Sequence, residues 1–358
     1  MMRRPDLAVV GGGVIGLTVA WRAAQAGLTV VVHERENALG AGTTHAAGGM
    51  LAPVAEADPQ EPAMLALNLA SAQRWAGFAA ELEQASGLAV GYRECGTLLV
   101  ARDDDEAVWL ERERALRESL ALPVERLLAS AARRRESALT PSLRLGVVLP
   151  EDHAVDPRAV VVALTAACID AGVDIRTHSP VASPSQPDAG RVVLASGVWA
   201  GGPVRPVKGQ ALLLHDPNGP GLCDSVLRWG VPIPGYLVPR GDGRYYLGAT
   251  AEERGFDGAS TAVAVHELLR DAAEILPGVL EMEIEELIVG FRPGTQDNLP
   301  VIGVDPGDPR VIWATGHYRG GVLLAPLTAE LVVAALTGAA PALDAAPFSP
   351  ARFAGVAT

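Results

Sequence analysis

Four residues near the N-terminus have types and spacing suited to binding a dinucleotide. Gly11, Gly13 and Gly16 stand as G-x-G-x-x-G, and Glu34 follows at about the twenty-residue offset that such a fingerprint requires. Gly11 lets the chain turn sharply, Gly13 has no Cβ to hold a pyrophosphate off the backbone, and Gly16 lets a helix approach a sheet. The helix opening at Val14 and Ile15 then offers free N–H groups and the positive end of its dipole to the phosphates. Glu34 can accept hydrogen bonds from a ribose diol, and its charge would repel a 2′-phosphate, which disfavours NADP. The fingerprint by itself leaves FAD and NAD open.

These residues need a strand, a helix and a second strand to position them. LAVV (7–10) is an apolar run of strand length, residues 14–26 repeat apolar side chains at helical spacing, Gly27 stops that helix, and LTVVV (28–32) is a second buried strand. Residues 35–56 are rich in small side chains, as in loops that lie against a ligand. Residues 62–86 read as an amphipathic helix, 95–102 as a strand and 105–138 as a helical stretch, with the acidic run at 103–106 and Arg133, Arg134 and Arg135 as solvated faces. Asp156 and Pro157 begin another helix, Gly172 ends it, and VDIRTHSPV (173–181) and RVVLASGVW (191–199) read as strands, the second running into Gly197.

From 204 to 291 the pattern becomes alternating strands with one inserted helix, and residues 310–336 return to strand, glycine-rich loop and helix. The fold expected is α/β (α+β overall), a Rossmann-like nucleotide-binding domain interleaved with an antiparallel-sheet domain. The first domain comprises 1–85, 150–203 and 292–358, and the second 86–149 and 204–291.

The chain has 358 residues, 49% of them hydrophobic, and a mean hydropathy of +0.22, ample for two cores. Its net charge of −13 disfavours nucleic acid as a partner. Cys95, Cys168 and Cys223 make no C-x-x-C and no even framework, which suits a reducing compartment. Asp6, the glycines and Trp21-Arg22 break the apolar run behind the basic N-terminus, so no signal peptide is expected. No stretch has the length and apolarity of a membrane span, and a cytoplasmic location is the expectation. The histidines show no paired metal-ligand spacing, so no metal site is expected.

GFRPGTQDNLPVIG (290–303) and TGHYRGGVLLAP (315–326), with the fingerprint, TTHAAGGML, RVVLASGVW and YLVPR in the same order, resemble the D-amino-acid oxidase superfamily of FAD amine oxidases, and within it the glycine oxidases of thiamine biosynthesis. The resemblance implies FAD, oxidative deamination of a small amino acid, O2 as electron acceptor and a homo-oligomer, a tetramer. It implies that Val14, Ile15, Glu34 and Arg35 contact the ADP half and that Val181 touches the adenine. Thr43, Thr44, Gly48, Gly49 and Met50 would run beside the flavin. His317, Tyr318 and Arg319, then Gly320, Gly321, Val322 and Leu323, would wrap the isoalloxazine end, and Gly197 would also bind the cofactor. Arg292 matches the carboxylate-binding arginine, Arg319 a second substrate contact and Tyr236 a hydrogen-bonding tyrosine.

Three positions depart from the pattern: Gly320 replaces the usual asparagine, residues 182–190 are shorter, and His45 stands where a small residue is normal. His45 could hydrogen-bond the flavin, be joined to it covalently or fill the loop; the non-covalent contact is the favoured reading. Met50 could equally be core packing, and Tyr236 a strand tyrosine. Arg292 is expected to leave the strand EELIVGF into the turn P-G-T, with its base fixed and its head in a cavity. A substrate carboxylate calls for an always-charged planar fork, hence arginine rather than lysine. No side chain is assigned as a base, because a neutral amine can give up hydride without one. The rival readings are a sarcosine or D-amino-acid oxidase, a dehydrogenase, and a non-catalytic FAD-binding subunit.

Overall fold

The computed structural model describes residues 4–218, 221–230 and 235–354; Met1, Met2 and Arg3 of the basic N-terminus lie outside them. The chain begins with β1 (Leu7–Val10), α1 (Val14–Gln25), β2 (Val30–His33), β3 (Met50–Leu51) and α2 (Pro62–Ser86). It continues through β4 (Thr97–Ala101), α3 (Asp104–Ser119), β5 (Glu125–Leu128), α4 (Ala129–Arg135), β6 (Leu145–Leu149), β7 (His153–Ala154) and α5 (Pro157–Asp170). Next come β8 (Asp174–Arg176), β9 (Arg191–Leu194), β10 (Arg205–His215), β11 (Val226–Trp229), β12 (Gly235–Pro239), β13 (Arg244–Gly248) and α6 (Ala262–Ile275). The chain closes with β14 (Glu283–Gly294), β15 (Val301–Val304), β16 (Val311–Thr315) and α7 (Gly321–Thr337).

Among the described residues, a six-stranded sheet runs β15-β16-β9-β1-β2-β8, parallel except for the β15–β16 pair. An eight-stranded sheet runs β14-β10-β13-β12-β11-β4-β6-β5, antiparallel except for the β11–β4 pair. A two-stranded ribbon of β3 and β7 completes the set. The strands of the first sheet come from 7–33, 174–194 and 301–315, so the interleaving is visible in the pairing itself. Because β14 continues to Gly294, the return to the first sheet comes after that residue; a boundary at 292 would cut a strand.

β1 is buried throughout, as a central parallel strand covered on both faces must be. Gly16 packs α1 onto it, since a Cβ there would lie 1.9 Å from the Gly11 carbonyl oxygen. The largest core cluster joins α1, α2, α5 and α7, with Trp21 and Trp75 both edge-on to Phe78 at 5.9 and 5.3 Å. Full burial of side chains of this size contributes about 1.5–3 kcal/mol each. At α5 the Asp156 carboxylate accepts from the Arg158 and Ala159 N–H groups with Pro157 behind it, a helix start readable in the sequence.

Two local expectations change. The stretch 105–138 is not one helix: Ala121 takes φ 54°, Pro123 supplies no N–H, and β5 intervenes before α4. VDIRTHSPV pairs only over Asp174–Arg176, because His178 and Ser179 turn back to donate to the Glu36 and Glu34 carbonyls. In the acidic run, Asp103 caps α3 by accepting from Glu106 N at 2.8 Å. Among the described residues, no helix is long and apolar enough to cross a membrane.

Candidate active site

A cavity of about 700 Å3 lies between the carboxyl ends of β1, β9 and β16 and one face of the eight-stranded sheet. This is where ligands bind open α/β sheets. Gly11, Gly13, Val14 and Ile15 line one end with Glu34, Arg35, Val181 and Gly197. Glu34 Oε2 accepts from Gly12 N at 2.7 Å and Oε1 from Glu36 N at 2.9 Å, which fixes the carboxylate at the mouth of the glycine turn. Gly13 gives α1 no side-chain cap, while Val14 N donates to Thr44 Oγ1 at 3.1 Å. A Cβ on Gly13 would lie 3.1 Å from that same oxygen, so the bare backbone is what keeps this cradle open. Arg35 lies 3.8 Å over the Trp199 ring. Trp199 is a cavity residue that no spacing in the sequence singles out.

The small-residue loop forms the middle of the wall. Thr43 donates its hydroxyl to the Phe291 carbonyl at 2.8 Å, tying the loop to β14. Gly48 lies under Tyr236 and Tyr246, and Gly49 takes φ +76° beside the Val155 carbonyl. Met50 and Thr44 also line the cavity. His45 does not. It sits between two lining residues, but its side chain turns outward, where Nε2 pairs with Glu286 at 2.8 Å and Arg158 holds the same carboxylate. The flavin contact expected of His45 is therefore corrected: its imidazole serves an ion-pair cluster outside the cavity.

At the far end, Arg292 lines the cavity from within β14, paired with Val207, and does not leave the strand as expected. Pro293 and Gly294 continue the ladder, because Arg205 and Pro206 remain opposite them. The Arg292 guanidinium lies over Gly209, where a Cβ would be 2.6 Å from Nη1, and Nη1 donates to Thr250 O at 3.0 Å. Tyr236 stacks on Tyr246 at 6.0 Å and 9°; Tyr246 donates to Ala46 O at 2.7 Å, and burial pushes its pKa well up.

Arg319 is exposed at the mouth, 4.0 Å from Glu56 Oε2. Glu56 and its partner Arg228, which carry no signature in the sequence, pair at 2.7 Å in the cavity wall. Burial would raise the Glu56 pKa, but Arg228 and then Arg319 outweigh it and keep the group below its usual range. Behind them, buried Asp152 accepts from Val54 N and Ala55 N at 2.9 and 3.1 Å; burial raises its pKa to about 7.

The last wall is the β16–α7 turn. Tyr318 adopts φ 48°, Gly320 occupies the cap position of α7 with no side-chain cap, and Gly321, Val322 and Leu323 form its first turn. His317 is buried and neutral, its pKa brought down to about 3 by burial, with Nε2 3.0 Å from Thr328 Oγ1. Two helix N-termini, that of α1 with only Val14 N taken by Thr44 and that of α7 with no side-chain cap, therefore open on one cavity. Among the described residues no cluster of three or more His, Cys, Asp or Glu could hold a metal ion.

Residues 6–335 match the FAD dependent oxidoreductase family (DAO). The chain belongs to that family. This FAD-dependent oxidoreductase is 31% identical to a glycine oxidase of Geobacillus kaustophilus, with 99% of each chain covered. It is 35% identical to the bifunctional protein ThiO/ThiG of Synechocystis sp., covering 99% of this chain and 55% of that protein. The chain thus spans about half the length of the bifunctional relatives. The crystal structure of the Geobacillus kaustophilus glycine oxidase superposes with a TM-score of 0.90 at 31% identity, over 97% of this chain and 98% of that one. That of an iminodiacetate oxidase from Chelativorans sp. BNC1 does so with a TM-score of 0.84 at 25% identity, over 96% and 98%. The open glycine cradle, the fixed Glu34 carboxylate and the paired helix ends suit the diphosphate, ribose and electron-accepting ring of FAD.

Proposed function

We propose that this FAD-dependent oxidoreductase oxidises glycine and other small amino acids, including sarcosine and small D-amino acids. Glycine, water and O2 give glyoxylate, ammonia and hydrogen peroxide. The observation that carries this reading is Arg292, a guanidinium fixed in a strand, held over a side-chain-free Gly209 and facing the same cavity as the dinucleotide cradle. An always-charged planar fork recognises a carboxylate bidentately.

When bound, FAD supplies the two-electron acceptor for the hydride leaving the substrate carbon. Gly11, Gly13 and the α1 N-terminus would hold its diphosphate, Glu34 its ribose, and Arg35 and Val181 the adenine side. The loop Thr43–Met50 would flank the ring system, and the α7 N-terminus would stabilise charge gained at its pyrimidine edge. In this reading the six-stranded sheet belongs to the FAD-binding domain and the eight-stranded sheet to the substrate-binding domain. Arg292 orients the carboxylate, Tyr236 offers a hydroxyl beside it, and Arg319 with Glu56 marks the entrance. The likeness to ThiO/ThiG and glycine oxidases supports service in thiamine biosynthesis.

Anaerobic mixing with glycine, sarcosine, small D-amino acids and amines lacking a carboxylate, followed by flavin absorbance, tests the reading. Glycine should bleach the flavin and carboxylate-free amines should not. A flavin that none of these substrates bleaches overturns it.

A further inference from the structure

α2 presents one stripe along its length: Glu61 at its cap, then Met64, Asn68, Ser71 and Trp75. The lower part of that stripe is fastened to α7, since Ser71 Oγ and Trp75 Nε1 both donate to the Leu323 carbonyl, at 2.7 and 2.8 Å. At the upper part, Met64 reaches Gly320, whose Cβ, if present, would lie 3.5 Å from Met64 Cε. Asn68 lies between them, beside the first turn of α7, and lines the cavity. It is only 3% exposed, and its Oδ1 is buried with no hydrogen-bond partner.

An orphaned polar atom at this depth is costly unless a partner arrives. Neighbouring Ser71 and Trp75 satisfy themselves on backbone, so the helix interface does not need the amide. The N-terminal turn of α7, which has no side-chain cap, lines the same cavity as Asn68.

We propose that Asn68 is a cofactor-binding residue whose side-chain amide hydrogen-bonds the pyrimidine edge of the isoalloxazine ring. That edge alternates carbonyl, N–H and carbonyl. An amide matches it in either orientation, offering oxygen to the ring N–H or its NH2 to a ring carbonyl. Asn68 thereby complements the α7 N-terminus, which supplies donors alone. The assignment does not depend on which amine is oxidised. A flavin bound normally but not bleached by glycine refutes the substrate reading and leaves Asn68 standing.

Two variants of the full chain test it. In Asn68→Leu, the apo-protein should melt at the same temperature as wild type or higher, because an unsatisfied buried group has been replaced by an apolar one of similar size. Its Kd for FAD, by fluorescence titration, should nevertheless rise at least tenfold. Asn68→Asp places a negative charge against a ring that gains electrons, so the flavin midpoint potential should fall. The inference is overturned by a Leu variant that binds FAD within twofold of wild type. It is equally overturned by an Asp variant whose flavin potential does not move. A purely structural Asn68 would lower the apo melting temperature and leave both cofactor measurements unchanged.

Discussion

Replacing Gly209 by Ala isolates the geometry of the carboxylate clamp without touching its charge. Gly209 faces Gly290 across the β10–β14 ladder, and a Cβ at 209 would lie 2.6 Å from Arg292 Nη1 and 2.9 Å from both Cζ and Nη2. Carbon contacts settle at about 3.5–4.0 Å, so the guanidinium must retreat by roughly 1 Å. The intruded atoms are the end of a flexible side chain, and alanine suits a strand interior better than glycine by up to about 1 kcal/mol. The melting temperature should therefore stay near wild type. The retreat breaks the 3.0 Å bond to Thr250 O and misaligns the fork. A displacement of about 1 Å in a positioning group costs on the order of 100-fold, or about 2.7 kcal/mol of barrier. The assay is kcat/KM for glycine from anaerobic flavin reduction, with FAD content and melting temperature as controls. A folded, FAD-replete Gly209→Ala that reduces with near wild-type kcat/KM would refute the reasoning.

Glu34→Ala removes a carboxylate that braces Gly12 N and Glu36 N and is assigned to the ribose; loss of a charged hydrogen bond worth about 1.5–3 kcal/mol should weaken FAD binding roughly 10–100-fold. An unchanged Kd by fluorescence titration removes Glu34 from the ribose. Because His45 faces Glu286, acid precipitation of the wild type should release all yellow colour to the supernatant, and His45→Ala should keep its flavin; a yellow pellet contradicts this. Asp152 has its pKa raised from 3.8 to about 7, so the folded state holds a proton that the unfolded state releases. Stability from this site is fully present below about pH 4 and is lost as pH rises through about 7. Asp152→Asn, which stays neutral, should gain on wild type in urea midpoint between about pH 5 and pH 8; parallel profiles would show that Asp152 does not titrate there.

The dinucleotide cradle was legible because its parts are neighbours in sequence: strand, glycines, helix and acid fall within thirty-odd residues and each has a local signature. The place of Arg292 in the cavity was legible only through resemblance, since nothing local distinguishes it from an ion-paired arginine. Arg228 with Glu56, Asp152 with Val54, and Asn68 beside α7 were hidden because tertiary pairing creates them; Arg228 and Glu56 stand 172 residues apart. His45 misled because Thr44 and Ala46 on either side do line the cavity, and a turn sends the residue between them outward. The single helix expected over 105–138 overlooked Pro123, whose missing N–H outweighed a run of good helix formers.

The strand order of the six-stranded sheet also has a consequence for biosynthesis. β1 and β2 are made close together, yet β1's other neighbour, β9, comes at 191–194 and the next strand, β16, at 311–315. The nascent glycine turn is therefore made while one flank of its sheet is absent and α7 is still to come. Loop closure over such separations is slow, and the apolar strands stay exposed meanwhile. Cofactor capture must await α7, and a chain cut short before that helix should appear in the cell as a substrate for chaperones and proteases, colourless however much FAD surrounds it.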